Sequence, residues 1–152
     1  MEPVLTVGHS NRSGVEFREL LEAHGVQVVL DVRRYPGSRR YPQFGRESLR
    51  EELAGAGIGY LSLPELGGRR AARPDSVNTA WQNEGFRGYA DYMQTAEFAA
   101  GLERLMEEAR GARVAIMCAE AVPWQCHRQL IADALAARGV AVEHILSKTR
   151  VQ

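Results

Sequence analysis

The chain has 152 residues, 45% of them apolar and 25% charged, with a net charge of zero. That suits one soluble globular domain, residues 1–152, with a sizeable core. No apolar run is long enough to span a membrane. The start "MEPVLTVGHSN" lacks the basic region and long apolar stretch of a secretory signal. The expectation is a cytoplasmic location with no membrane partner, where the two cysteines are thiols.

In chain order, "VLTVGHS" (4–10) reads as a strand ending near Gly8. Ser13 with Glu16 three residues on forms a capping-box pattern for a helix that Gly25 stops. "VQVVLDVR" (26–33) is a β-branched strand without alternation, as expected of a strand buried on both faces. The long loop "RRYPGSRRYPQFG" leads to a helix over 46–57 and a short strand over 58–63. Residues 64–87 form a second long irregular segment, and loops of that length in a compact domain usually carry function. One helix is predicted over 88–111, with Tyr92, Phe98, Leu102, Leu105 and Met106 on its core side. A buried strand (113–118) follows, then a helix from Pro123, a residue suited to a first turn, to 138, and a closing strand over 140–147.

Strand and helix alternate throughout. The fold class implied is α/β: a single Rossmann-like domain with a mostly parallel five-stranded sheet and helices on both faces. In such folds ligands bind beyond the carboxyl ends of the strands. The four loops leaving those ends hold Arg12, Arg33, Arg34, Arg39, Arg40, Arg46, Arg69, Arg70, Arg73, Arg87 and Arg128, which is eleven of the eighteen arginines. Tyr35, Tyr41, Phe44, Trp81, Phe86 and Trp124 share them, whereas the loops at the opposite edge are small and plain. An edge rich in Arg and aromatic residues suits an anionic small molecule with a stackable ring, or unpaired nucleic acid. The competing reading is that these arginines pair with Asp31, Glu65, Asp75, Glu84 and Glu120 and hold the loops in place.

The segment "MCAEAVPWQCHR" (117–128) carries both cysteines. Cys118 closes a strand where a helix is about to begin, a place that lowers a thiol pKa and suits a nucleophile; the alternative is a buried structural cysteine. Glu120 is a candidate acid, and His127 a candidate base or a partner of Glu120. Cys118, Cys126 and His127, with His9 as a fourth ligand, could form a metal site, but no Cys-x-x-Cys spacing supports it. His9 follows Gly8 at a strand end and is placed for a ligand contact. Asp31 is placed to grip a hydroxyl, a catalytic group or a loop backbone. Neither a dinucleotide glycine pattern nor a Walker lysine is present. His24 and His144 read as structural.

Together "TVGHSN", "DVRRYPGSRRYPQF", "LPELGG", "NEGFRGYADYM" and "CAE…CHR" resemble the prokaryotic family called domain of unknown function 488, in order and over nearly the whole chain. The resemblance implies a Rossmann-like α/β domain and no established activity or cofactor. The motif positions it carries over are Gly8, His9, Ser10, Asp31, Arg33, Pro36, Ser38, Pro42, Phe44, Gly67, Gly68, Tyr89, Cys118, Glu120, Cys126, His127 and Arg128. A weaker likeness is to rhodanese-like domains, which also have an Asp-Val-Arg strand end and a strand-closing cysteine. Their active loop runs directly from the cysteine into the helix, whereas here nine residues, a proline among them, separate Cys118 from Arg128.

The functional expectation is an enzyme or binding domain for a phosphate-bearing ligand. Cys118, Glu120 and His127 lie near any chemistry, and His9, Ser10, Asp31, Arg33, Pro36, Phe44, Tyr89, Cys126 and Arg128 line the ligand site. The alternatives are a nucleic-acid-binding module without catalysis and a Cys/His metal-binding domain.

Overall fold

A computed structural model describes residues 2–34, 40–68, 74, 76, 84–120 and 127–152, with the backbone alone for 84–86. Five strands form one sheet: β1 (Val4–Gly8), β2 (Val28–Asp31), β3 (Gly59–Ser62), β4 (Val114–Cys118) and β5 (Val142–His144). Their order is β3-β2-β4-β1-β5, and every pairing between them is parallel. The central strands β1 and β4 are buried at every position, which is why their sequences run apolar without alternation.

Helices α1 (Gly14–Ala23) and α2 (Arg46–Gly55) cover one face, packing Phe17, Leu20, Leu21, Leu49 and Leu53 on Leu5, Val7, Val29, Ala115 and Met117. Helices α3 (Glu84–Tyr92), α4 (Ala96–Gly111) and α5 (Arg128–Ala137) cover the other. There Tyr89, Phe98, Leu102, Leu105, Leu130, Ile131 and Leu135 meet Val4, Leu30, Val114, Ile116 and Cys118. Truncating a fully buried leucine such as Leu102 to alanine costs about 2–5 kcal/mol at sites of this kind.

The capping box at α1 is present: Ser13 Oγ accepts from the Glu16 amide, and the Glu16 carboxylate accepts from the Ser13 amide. The predicted single helix over 88–111 is instead two. Thr95 ends the first by donating its hydroxyl to the Tyr92 carbonyl and starts the second by accepting from the Phe98 amide. The predicted start of the last helix at Pro123 lies outside the described residues; the described helix begins at Arg128. The closing strand is shorter than the predicted 140–147. After His144 the chain turns at Ser147–Arg150 and folds back, and Gln152 and His144 exchange backbone hydrogen bonds of 2.8 Å. This antiparallel return covers the outer edge of β5, which would otherwise offer unpaired backbone groups.

The loops of β1 and β2 lead to the α1/α2 layer, and those of β3 and β4 lead to the α3–α5 layer. Because β4 lies between β1 and β2, connections diverge on both sides of its carboxyl end, which creates the crevice where α/β sheets bind ligands.

Candidate functional site

The register places the sequence-singled residues in one row. Gly8 stands beside Cys118, and Asp31 lies beside Met117 on one side and Ser62 on the other. Pairing continues past the strand ends, from the His9 amide to the Cys118 carbonyl and from the Ser10 amide to the Ala119 carbonyl, both at 2.9 Å. His9, Asp31, Arg33, Cys118, Glu120 and Arg128 therefore share the carboxyl edge.

On the α1/α2 side the charges are compensated. Asp31 is fully buried and accepts from Arg33 three times: from its amide (3.0 Å), Nε (2.9 Å) and Nη2 (2.8 Å). The Tyr60 hydroxyl donates to its second oxygen. Burial works against the Arg33 cation, but its bonds to Asp31 outweigh that and hold its pKa above the ordinary value. Tyr60 is pushed up to about 12 by burial and by the Asp31 charge it faces. Arg33 and Asp31 thus pair with each other, as the competing sequence reading anticipated.

His9 lies in the same layer, 2% exposed. Its ring stacks on Phe44 (centroids 4.3 Å apart, 21° between planes) and meets Tyr41 edge-on at 6.0 Å. Its Nδ1 lies 2.8 Å from the Ser10 carbonyl, which can only accept, so Nδ1 carries the proton. Burial lowers the His9 pKa, and Arg33 and Arg12 lower it further against the opposing Ser10 bond and Asp31. Ser10 has φ +52°, the left-handed region that non-glycine residues rarely adopt.

On the α5 side the charges are not compensated among the described residues. Arg128 is fully buried. Its Nη2 donates to the Glu120 carbonyl (2.9 Å) and its Nη1 to the Thr6 hydroxyl (3.3 Å). Its Nε has no partner, and among the described residues no carboxylate reaches its guanidinium. Thr6 also bonds His144 Nδ1 at 2.5 Å. Burial and the Arg128 cation lower the His144 pKa, against Asp133. Arg12 adds a second cation. It donates to the Gly8 carbonyl (2.6 Å), and burial lowers its pKa, as does repulsion from Arg128, while Glu16 attracts it without forming an ion pair.

Cys118 is 2% exposed and packs in the apolar layer with Ile116, Leu130 and Ile131, and its thiol makes a 3.9 Å contact to the Glu120 carbonyl. Glu120 is exposed and uses its backbone, not its carboxylate, to hold Arg128. His127 Nε2 donates to the Val32 carbonyl at 3.2 Å, and its ring lies 5.1 Å from Tyr89, whose hydroxyl donates to the Leu66 carbonyl. The two glycines of "LPELGG" fit this clasp: a methyl at Gly67 would stand 2.5 Å from the Arg34 backbone, and one at Gly68 would stand 3.0 Å from His127 Nδ1. Pro36, Ser38 and Cys126 lie outside the described residues, as do Arg39, Arg69, Arg70 and Arg73. Among the described residues no group of three His, Cys, Asp or Glu is arranged to hold a metal ion, and no helix is long and apolar enough to cross a membrane.

Sequence reasoning missed Thr6, Tyr60 and the part played by His144. One signal was available: Thr6 is the single polar side chain within an otherwise apolar, fully buried strand.

The family profile described as "Domain of unknown function DUF488" matches residues 14–135, more than three quarters of the chain. The match takes in Asp31, Arg33, Cys118 and Arg128 and begins after "TVGHSN". No curated protein and no solved structure matches.

Proposed function

Because the chain belongs to the domain of unknown function 488 family, whose name assigns no activity, we propose its function from the edge site alone: it binds a phosphate-bearing ligand, a nucleotide or a nucleic-acid strand, across the carboxyl ends of β1 and β4. The observation that carries this reading is Arg128, a fully buried guanidinium with an unpartnered Nε and no carboxylate within reach among the described residues. A buried cation without a counter-charge is costly, and a bound anion lowers that cost. Arg12 beside it strengthens the positive field. Both lie where parallel sheets of this kind take ligands. Glu120 and His127 support the reading by position: the Glu120 carbonyl orients Arg128, and His127 clasps the neighbouring loops. Cys118 forms the apolar floor.

The test is a thermal-shift and calorimetric titration with inorganic phosphate, nucleoside mono- and triphosphates and a single-stranded oligonucleotide, on the wild type and on Arg128→Met. A ligand that binds only the folded form raises the melting temperature. The wild type should bind at least one of these, and Arg128→Met should bind it about ten-fold or more weakly, a loss of about 1.4 kcal/mol. Tight binding of the mononucleotides marks a small-ligand site, and binding of the oligonucleotide alone marks a nucleic-acid module. Equal affinity in the two proteins removes Arg128 from the site.

A further inference from the structure

Each of the three other histidines is fixed by a partner distant in the chain: His24 by the Ser147 carbonyl, His127 by the Val32 carbonyl and His144 by Thr6. His9 is fixed differently. Its Nδ1–H is given to the carbonyl of the next residue, Ser10, and that carbonyl is aimed by a backbone held at φ +52°. The strain is over-determined by its surroundings, since the Ser10 amide is bonded to the Ala119 carbonyl of the neighbouring strand end. Phe44 and Tyr41 clamp the ring on two sides. The result is an imidazole of set tautomer and set orientation, whose Nε2 must hold its lone pair.

That lone pair is unused. Nε2 makes no hydrogen bond among the described residues. A left-handed serine is a recurring cost at sites of function.

We propose that His9 Nε2 is the proton acceptor of the edge site, with Ser10 as its positioning residue. The inference rests on the reading of this edge as a phosphate site and names the chemistry done there: hydrolysis of a phosphate ester. Nε2 takes a proton from a water molecule, so an O–H bond breaks and an N–H bond forms. The oxygen keeps the electron pair and attacks phosphorus. The P–O bond to the leaving alcohol breaks on the opposite side of phosphorus, that oxygen takes a proton from water, and the imidazolium returns its proton to solvent. A ring kept neutral at pH 7 by burial is ready to accept. The charged groups around it are Arg12 on its own loop and Asp31 and Arg33 at the end of β2. Tyr41 faces it from the 3-10 turn at Pro42–Phe44, and Glu120 follows β4.

Nitrogen-resolved NMR of the wild type, titrated with inorganic phosphate, tests this directly. His9 should carry its proton on Nδ1 and titrate below an ordinary histidine. Saturating phosphate should raise its pKa by about one unit, because a nearby anion favours the imidazolium. With 4-nitrophenyl phosphate and its bis-ester as probes, His9→Gln should lower kcat about 100-fold or more with KM little changed, since general-base catalysis contributes about 10²–10⁴-fold. Arg128→Met should act on KM instead. Ser10→Gly, which tolerates the left-handed backbone, should retain activity, and Ser10→Val should lose the Nδ1 tautomer and the rate together. Phosphate that shifts the Arg128 guanidinium signals while leaving the His9 titration unmoved would overturn the proposal and spare the anion site. Hydrolysis of neither ester by the wild type would do the same. Phosphate that perturbs neither residue would remove the anion site and the proposal with it.

Discussion

Two buried arginines stand at the same edge of the sheet and are treated in opposite ways. Arg33 is held by Asp31 through two side-chain bonds and one backbone bond, and Tyr60 completes the carboxylate's shell. Arg128 is buried more completely, yet its bonds go to a hydroxyl and a backbone carbonyl, and one of its nitrogens is left without a partner. Removing one side of a compensated pair exposes a buried charge to an apolar interior. An uncompensated cation is already in that state and is relieved by an anion from outside. The contrast separates arginine used as scaffold from arginine held ready for a ligand.

The largest way to break the scaffold side is Asp31→Asn. It strips the counter-charge from Arg33, and losses of about 3–5 kcal/mol are usual when one partner of a buried pair is removed. Urea denaturation should show it, and an unchanged midpoint would mean that the Asp31–Arg33 pair is not what holds the loop after β2.

The clasp between the loops comes next. Gly67→Ala puts a methyl 2.5 Å from the Arg34 backbone, and overpacking of this kind costs about 1–3 kcal/mol. The expected outcome is a lower melting temperature with phosphate binding retained once the protein is folded.

The smallest effect is that of pH. His9 and His144 both have pKa values in the folded chain below the ordinary 6.5, chiefly through burial. Below pH 6.5 the unfolded chain binds more protons than the folded one. Stability is therefore fully present above 6.5 and declines as pH falls from there through the folded values. His144→Gln should flatten part of that slope in thermal denaturation measured from pH 7.5 to 5. A bound phosphate opposes the decline, because it favours the charged form of any histidine it touches.

Much of the fold could be read from the chain because burial on both faces writes itself into a strand. "VLTVG" and "VAIMC" are apolar without alternation, and both proved central. The edge location of His9, Asp31, Cys118 and Arg128 followed from strand polarity alone. Other features depend on contacts between distant residues. Strand order, the return of the C-terminus onto β5, and the separation of α3 from α4 by Thr95 are of this kind. The difference between Arg33 and Arg128 is tertiary in one half only. Asp31 and Arg33 are two apart along an extended chain and so share a side, a local signal for pairing. Nothing local to Arg128 announces that among the described residues no carboxylate reaches it, because that depends on what Thr6 within β1, the Glu120 carbonyl after β4 and His144 in β5 bring. The placement of Cys118 follows from parity: it shares the face of Ile116, under α5, so the thiol points into the apolar layer.

The central claim is that the uncompensated arginine, not the compensated one, receives the ligand. The direct measurement is phosphate affinity by calorimetry for Arg128→Met and Arg33→Met side by side, with stability measured on the same samples. Arg128→Met should lose phosphate binding about ten-fold or more while staying at least as stable as the wild type, because a buried charge has been replaced by an apolar chain of similar length. Arg33→Met should lose stability and keep its affinity. The reverse pattern, with phosphate binding lost in Arg33→Met and retained in Arg128→Met, would contradict it.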